Sequence, residues 1–524
     1  MVKPKLFHSI GRIQFVRAVC QASFFALFFV GLLTTHSSGK ETIGAVERFF
    51  HFDPLLGLAT TLASRSFQAA YGFALVTIVV TVLFGRYVCG WVCPLGSLLH
   101  FFSFLFAKLR WIKPGIEKTR HLRWKYLILV FVVVASVFTL DFAGFLDPLS
   151  LLYRSFSTAV LPGASISAGA GADLLHRTGA AFPGDRLTKW FQGLMIQATF
   201  RQGAVIGLVF LGVILLNLVR PRFWCRYVCP AGALLGVLSR WHPIKLKIAA
   251  DRCNGCRLCS LHCSSQANPH PADQWKKAEC FHCYNCVANC PQDAIRFPFA
   301  APTAKSPGID LSRREMVLGS TLGMVAAPLL IVSGSERPSK ELIRPPGALM
   351  EPQFLSKCIR CGECMKVCPT NGLQYAFEEG SLMALWTPVL APRIGFCEYY
   401  CSLCTQVCPT GAIRELTVKE KQAIRIGAAW IRKDRCLVYS VGEVCRVCEN
   451  KCPTTPKAIA MVDSEFSAPE GKIQIQAPVV DLSLCIGCGI CENRCPVEDE
   501  PGIYCTSYGD SRSEKDSYMP DYGG

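Results

Sequence analysis

The chain has 524 residues, more than one ordinary domain holds, and 51% of them are hydrophobic, which predicts membrane spans. The formal net charge of +17 comes largely from basic residues beside apolar segments, and no nucleic-acid-binding motif accompanies them. This balance favours membrane lipid over nucleic acid as the partner of the positive charge, and no nucleic-acid partner is expected.

Five apolar segments predict transmembrane helices. They run over 14–34, 67–85, 125–142, 202–219 and 317–334. Basic residues lie at the N-terminus and after the second and fourth segments, which the positive-inside rule assigns to the cytoplasm. We therefore expect a membrane α-helical bundle of about four spans plus a fifth linking span.

A Cys-x3-Cys-Pro motif follows the second apolar segment and recurs after the fourth. The four cysteines are Cys89, Cys93, Cys225 and Cys229. Cysteines four residues apart share one face of a helix, so two such pairs could together bind a metal centre. This would be a seventh 4Fe-4S cluster, in addition to the six that the cysteine quartets described below predict. A redox dithiol and a plain structural repeat are the alternatives.

Polar residues at the edge of the predicted bundle are candidates for a functional site, because ionisable groups at membrane depth are usually functional. They are Asp141, Asp147, Tyr153 and Arg154. For Asp147-Pro148 a simple loop turn is the alternative.

Residues 250–298 carry two cysteine quartets, each spaced Cys-x2-Cys-x2-Cys-x3-Cys. Such spacing is typical of bacterial ferredoxins, where four thiolates hold a 4Fe-4S cluster and the fourth cysteine serves the neighbouring cluster. Zinc usually takes two separated Cys-x2-Cys pairs, and disulfides between cysteines so close in sequence are poorly placed. The expected ligand sets are Cys253, Cys256 and Cys259 with Cys290, and Cys280, Cys283 and Cys286 with Cys263.

Four further quartets, each closed by Cys-Pro, follow in the C-terminal region. They are Cys358, Cys361, Cys364 and Cys368; Cys397, Cys401, Cys404 and Cys408; Cys436, Cys445, Cys448 and Cys452; and Cys485, Cys488, Cys491 and Cys495. The outer two are regular and the inner two have longer first gaps. This contrast favours nested exchange of the fourth cysteines, first quartet with fourth and second with third, while sequential exchange remains open. In all, six 4Fe-4S clusters on α+β ferredoxin-like domains are expected.

The pair Arg313-Arg314 directly precedes the fifth apolar segment, as in twin-arginine export signals. A positive flank of a span is the alternative. The predicted regions are a membrane module at 1–240, a cytoplasmic two-cluster ferredoxin at 241–300, a twin-arginine segment with a fifth span at 301–335, a four-cluster polyferredoxin at 336–505 and a flexible tail at 506–524.

This arrangement resembles a NapH-type membrane ferredoxin fused to a NapG-type polyferredoxin. The resemblance implies a quinol dehydrogenase component of the bacterial inner membrane, with a cytoplasmic N-terminus and a periplasmic C-terminal domain. It implies that the chain oxidises quinol from the quinone pool and passes electrons to a periplasmic reductase or cytochrome. The candidate residues for this quinol site are the polar group Asp141, Asp147, Tyr153 and Arg154. The alternative is a membrane ferredoxin that supports maturation or regulation of a metalloenzyme.

Overall fold

The structure is a computed structural model that describes residues 12–35, 37–38, 41–42, 46–111, 119–177, 199–299, 313–334, 339–468 and 471–512. The chain forms two compact units. The first unit comprises Met1–Leu33, Ala45–Ser155 and Gly207–Ala327, and the second comprises Thr34–Gly44, Phe156–Ile206 and Pro328–Gly524. The domain boundaries expected from the sequence stay predictions.

Most of the described elements are helical. In chain order the α-helices are α1 Arg12–Thr34, α2 Glu47–His51, α3 Pro54–Ser64, α4 Ala74–Phe84, α5 Pro94–Lys108, α6 Trp124–Val137, α7 Ala143–Leu146, α8 Pro148–Ser155, α9 Leu161–Arg177, α10 Gly203–Val219, α11 Pro230–Leu238, α12 Leu258–Leu261, α13 Asn285–Ala288, α14 Arg313–Gly334, α15 Glu351–Lys357, α16 Glu363–Lys366, α17 Leu403–Gln406, α18 Val418–Ala423, α19 Leu437–Val441, α20 Val447–Lys451 and α21 Ile490–Asn493.

The described strands form five two-stranded antiparallel sheets. In chain order the strands are β1 Ser37–Ser38, β2 Glu41–Thr42, β3 Lys247–Ile248, β4 Ile295–Arg296, β5 Leu373–Tyr375, β6 Pro388–Leu390, β7 Ala428–Ile431, β8 Ile459–Ala468, β9 Gly471–Val480 and β10 Ile503–Thr506.

Two Asp-Pro steps begin helices in the first unit. The Asp53 carboxylate accepts the Leu55 N–H at 2.8 Å and caps α3, and the Asp147 carboxylate accepts the Ser150 N–H at 2.8 Å at the start of α8. Proline at the first helical position loses no hydrogen bond, since that N–H has no intrahelical partner. Asp147 is thus a helix cap, not a simple loop turn.

The two Cys-x3-Cys-Pro motifs adopt one local structure twice. Each runs through a π-helical turn, Val88–Val92 or Trp224–Val228, and then begins a helix at its proline, α5 or α11. The α6 helix packs against both α3 and α11. The repeat read from the sequence is therefore a structural repeat within the first unit.

The expected bundle of about four spans plus a fifth is wrong. Among the described residues, only α1 is long and apolar enough to cross a membrane. The second segment is split into the 3-10 turn Ala69–Phe73 and the 11-residue α4, the third is the 14-residue α6, and the fourth is the 17-residue α10. Fourteen residues rise about 21 Å, short of a hydrocarbon core of about 30 Å. The fifth segment lies in α14, which has a charged first turn and contains Pro328.

A small α+β subdomain closes the first unit. Strands β3 and β4 pair with Ile248 opposite Ile295. Helices α12 and α13, which lie between these strands in the chain, pack against each other. Ala267, Trp275 and Ile295 are buried together with the cysteines of this segment. Its short elements place the two quartets in one core.

The second unit is built from short helices and three two-stranded sheets in residues 339–512. Sheet β7–β10 pairs Ala429 with Cys505, and the long hairpin β8–β9 pairs Ile459 with Val480. Phe354 and Val367 are fully buried in a core that also contains cysteines of the quartets. Loops that carry cysteines therefore make up much of the interior of this unit.

Candidate iron–sulfur centres

Four cavities are each lined by four cysteines of the predicted quartets. One lies in the first unit and three in the second. The four sets are Cys253, Cys256, Cys259 and Cys290; Cys368, Cys397, Cys401 and Cys404; Cys436, Cys445, Cys448 and Cys495; and Cys452, Cys485, Cys488 and Cys491.

Electrostatic coupling between thiols identifies two further sets. Burial raises the pKa of Cys286, and Cys283, Cys280 and Cys263 add to the rise. The pKa values of the Cys358, Cys361 and Cys364 thiols are likewise raised by burial and further by Cys408. The eight cysteines of residues 250–298 thus group as the sequence predicts, each fourth cysteine joining the neighbouring set.

In the second unit the fourth cysteines are exchanged sequentially. Cys368 joins the second quartet and Cys408 the first, while Cys452 joins the fourth and Cys495 the third. Helices α16 and α17 pack together, as do α20 and α21, and each carries the third cysteine of its quartet. The favoured nested exchange is therefore wrong: a longer first gap changes the loop within a quartet but not the identity of its partner.

The backbone around the second cysteine explains the regular spacing. In the four regular quartets both residues that flank this cysteine have positive φ, whereas Ser402 and Arg446, which follow it in the irregular quartets, do not. The flanking residues are Gly255 and Arg257, His282 and Tyr284, Arg360 and Gly362, and Gly487 and Gly489. A left-handed backbone conformation costs about 1–2 kcal/mol at a residue other than glycine, so the surrounding loop must hold this conformation in place.

Hydroxyl groups stand close to several fourth cysteines. The Thr370 hydroxyl lies 3.5 Å from the sulfur of Cys368, and the Thr454 hydroxyl 3.3 Å from that of Cys452. Hydrogen bonds to cluster sulfurs tune reduction potentials. Sequence analysis missed these contacts, although a Ser or Thr two residues after the cysteine was a visible signal.

The four cysteines of the Cys-x3-Cys-Pro motifs meet in the first unit; we call them the repeat site. Burial raises the pKa of the Cys229 thiol, and the thiols of Cys225, Cys89 and Cys93 raise it further. The Cys93 sulfur also accepts the Gly96 N–H at 3.4 Å, in parallel with Cys229 and its own glycine. The two cysteine pairs, which are far apart in sequence, therefore come close together in space, as a shared metal centre requires.

Two buried arginines precede the repeat site, each three residues before the first cysteine of its motif. Arg86 is fully buried and its guanidinium donates to the Glu279 carboxylate at 3.1 Å, with the Cys89 sulfur at 4.0 Å. Arg222 is 1% exposed, and none of its three guanidinium nitrogens has a hydrogen-bond partner among the described residues. A buried cation of this kind requires an anion nearby, which a thiolate-held cluster would supply.

The donor sets fit multinuclear clusters. Among the residues that the structure describes, no three His, Cys, Asp or Glu side chains converge closely enough for a single metal ion. The thiols of four sets instead line cavities with four cysteines each from the quartets. An all-thiolate donor set around such a space suits a 4Fe-4S cubane.

All four quinol candidates are fully buried in the first unit. The Asp141 carboxylate accepts the Ala143 N–H at 2.9 Å, and the Arg154 guanidinium donates to the Gly144 carbonyl at 3.2 Å. The Tyr153 ring packs edge-on against other aromatic rings. These contacts neither test nor remove a quinol site, which stays a prediction.

Asp147 faces a second buried acid, Asp53. Burial raises the pKa of both carboxyls, and the proximity of Asp53 raises that of Asp147 further. Sequence analysis missed Asp53, although the Asp53-Pro54 dipeptide repeats Asp147-Pro148 and is the signal that could have found it. The pair therefore retains a proton more readily than isolated aspartates do.

Several iron–sulfur family models match the chain. Two models described as a 4Fe-4S binding domain match residues 478–498 and 277–293, and a third of that description matches 67–113 and 202–249, which include the repeat site. A 4Fe-4S dicluster domain matches 357–412, which agrees with sequential exchange between the first two C-terminal quartets. Fold and site together define a ferredoxin-type iron–sulfur electron-transfer protein.

Relatives identify the family. MauM of Methylorubrum extorquens, a methylamine utilization ferredoxin-type protein, is 34% identical over 199 residues, which cover 35% of this chain and 83% of MauM. The ferredoxin-type protein NapG of Escherichia coli is 34% identical over 184 residues, covering 35% and 78%. YccM of Escherichia coli, whose name assigns it to electron transport, is 23% identical over 296 residues, covering 52% and 70%. No solved structure matches.

The chain belongs to the family of ferredoxin-type proteins that includes NapG and MauM. The relationship to NapG-type polyferredoxins that the sequence predicts is thereby confirmed.

Proposed function

We propose that the chain is a membrane-anchored quinol dehydrogenase component, which oxidises quinol and passes the electrons through 4Fe-4S clusters to a periplasmic reductase or cytochrome. The observation that carries this proposal is the number of cysteine sets in both units, six of quartet type and one repeat site. So many redox sites suit continuous electron flow better than a single regulatory or maturation event.

The six quartet sets described above are proposed as the ligands of six clusters, and the repeat site as the ligand set of a seventh. When bound, these clusters supply one-electron transfer. The buried Arg222 guanidinium has no hydrogen-bond partner in the described part of the chain, which supports an anionic group at the repeat site. Backbone N–H groups of Gly96 and Gly232 would remain donors to two of the four thiolates.

Quinol oxidation also releases protons, and the first unit offers buried groups that could receive them. The pKa values of Asp53 and Asp147 are raised by burial, so the pair holds a proton more readily than isolated aspartates do. Helix α8, which Asp147 caps, packs against α5, which begins directly after Cys93. We propose that Asp147, with Asp141, Tyr153 and Arg154 nearby in sequence, belongs to the quinol site, and that Asp53 is its proton-sharing partner.

Helix α1 is proposed as the anchor in the bacterial cytoplasmic membrane. Its side chains Phe15, Leu27 and Val30 are 54% to 61% exposed, so much apolar surface is left for lipid. The N-terminus is proposed to lie in the cytoplasm and the C-terminal domain in the periplasm, with Arg313-Arg314 acting in export. A reporter fused after residue 524 tests this orientation, and periplasmic reporter activity is the expected result.

The test of the whole proposal is anaerobic reduction of the purified full chain by a soluble quinol. We expect the cluster absorbance to bleach and EPR signals of reduced 4Fe-4S clusters to appear. Dithionite serves as the control that reports all reducible clusters. Clusters that dithionite reduces but quinol leaves fully oxidised would rule out the quinol dehydrogenase proposal.

A further inference from the structure

The loop between the first two cysteines of the second quartet packs directly against the repeat site, inside the first unit. A Cβ atom built on Gly90, between Cys89 and Cys93, would lie 2.3 Å from the Phe281 carbonyl oxygen. The Trp91 indole donates to the His282 carbonyl at 3.0 Å. Only glycine at position 90 allows the two cysteine-bearing loops to approach this closely.

The α1 helix ties the same two loops together. The Gln21 amide donates to the Gly90 carbonyl at 2.7 Å, and the Arg17 guanidinium donates to the Cys283 carbonyl at 2.8 Å. Both side chains are buried. The separation of the two sites is therefore fixed by three elements: the motif loop, the quartet loop and α1.

The Phe281 ring contacts both arginines that precede the repeat site. The guanidinium carbon of Arg86 is 4.7 Å from the ring centroid and that of Arg222 is 5.3 Å from it. The ring is 1% exposed and directly follows Cys280 in sequence. Cation–π contacts of this kind are strongest when desolvated, so the two charges hold the buried ring in place.

From this geometry we infer that the repeat site and the cluster set of Cys263, Cys280, Cys283 and Cys286 form a direct electron-transfer couple, with Phe281 and Gly90 setting their separation. The inference deepens the proposed function and rests on a seventh centre at the repeat site. In each transfer one electron leaves one centre, which is oxidised, and enters the other, which is reduced. No bond forms or breaks, and Arg86 and Arg222, which contact the Phe281 ring, keep their charge.

The experiment measures magnetic coupling between the two centres by EPR in the fully reduced, full-length protein. We expect the wild type to show a spin–spin split or relaxation-enhanced signal. Gly90→Ala should weaken this coupling because the new methyl group pushes the Phe281 backbone away. Gly72→Ala is the matched control, since its Cβ would meet no atom within 4 Å and the coupling should be unchanged.

A second variant keeps the test informative if Gly90→Ala does not fold. Phe281→Leu retains an apolar side chain but removes the ring that contacts both arginines, and it should slow electron exchange between the centres with the iron content retained. Magnetically isolated signals from two reduced centres in the wild type would overturn the inference alone. If replacing Cys89 and Cys225 by Ala leaves the iron content unchanged, no seventh centre exists, and both the seventh centre and the couple fail.

Discussion

At the scale of single residues, Arg86 and Arg222 occupy equivalent positions in the repeat but differ in the groups that contact their guanidinium groups. Arg86 has the Glu279 carboxylate, which also pairs with Lys125 and accepts the Tyr126 hydroxyl at 2.7 Å. Among the described residues the Arg222 guanidinium has no hydrogen-bond partner, and the Phe281 ring and the Cys225 thiol lie near it. Its charge should therefore act most directly on a centre bound there.

We expect Arg222→Gln to lower the reduction potential of the repeat-site centre, because the reduced form carries one more negative charge. Loss of a charged partner costs on the order of 1.5–3 kcal/mol, about a tenfold or larger shift in the reduction equilibrium. An EPR-monitored redox titration measures it. Arg446→Gln is the control, since that side chain is 49% exposed and pairs with Glu449. An unchanged potential with iron retained would contradict the role assigned to Arg222.

The Asp53–Asp147 pair predicts a pH dependence of stability. Because both native pKa values are raised, the native chain holds protons that the unfolded chain releases above about pH 4. Stability should therefore fall as the pH rises from that value through the native pKa. Asp147→Asn keeps a capping oxygen for α8 but has no proton to lose, so its melting temperature should fall less across this range.

Thermal unfolding of the full chain in detergent between about pH 5 and 8 measures this difference. A tenfold difference in proton affinity between the native and unfolded chains corresponds to about 1.4 kcal/mol of stability. Asp251→Asn is the control, because the Asp251 side chain is 76% exposed. Parallel pH profiles for wild type and Asp147→Asn would show that the pair ionises as ordinary aspartates do.

At the scale of elements, the quartets act as exchanging pairs, and a double substitution tests which pairs these are. Cys368→Ala combined with Cys397→Ala should remove no more than one cluster, because both residues line one cavity. Cys368→Ala combined with Cys485→Ala should remove two. Iron and sulfide content per chain, compared with each single variant, is the measurement. Nested exchange predicts the opposite result for the two double variants.

The sequence predicted the cysteine sets of the first unit because ligand spacing is a local property, fixed by the reach of a short loop. It did not predict which quartets of the second unit exchange their fourth cysteines. That depends on the packing of α16 on α17 and of α20 on α21. The membrane spans were misjudged for a similar reason. An apolar run does not reveal that a 3-10 turn at Ala69–Phe73 shortens the helix that follows. Asp53 was missed because its partner is far away in sequence.

At the scale of the whole molecule, both units hold cluster sets, and α1 is the described helix suited to anchoring them. Its exposed side chains Leu27 and Val30 lie apart from its buried Phe28 and Leu32, so the exposed face can be changed without disturbing the core. Anchoring and folding should therefore be separable by substitution.

Replacing Leu27 and Val30 by Lys should move the chain from the membrane fraction to the soluble fraction. A lysine at the centre of a membrane helix costs about 2.5–3.5 kcal/mol, and two such residues nearly double that cost. Fractionation followed by immunoblotting measures the distribution. Leu382→Lys is the control, at a position 69% exposed in the second unit. Retention of the double variant in the membrane would show that α1 is not the principal anchor.

The exchange of fourth cysteines has a consequence for oxidative damage. Three cysteines of each quartet ligate one cluster and the fourth ligates the neighbouring cluster. When an oxidant destroys one cluster, the loop of its quartet is no longer held by metal, although the fourth cysteine of that loop still ligates the neighbour. Cys368 and Cys408 tie the first two C-terminal quartets together in this way, and Cys452 and Cys495 tie the last two. Under continued oxygen exposure, the loss of one cluster should thus make its paired neighbour the next to be lost, while the clusters of the other pair persist longer.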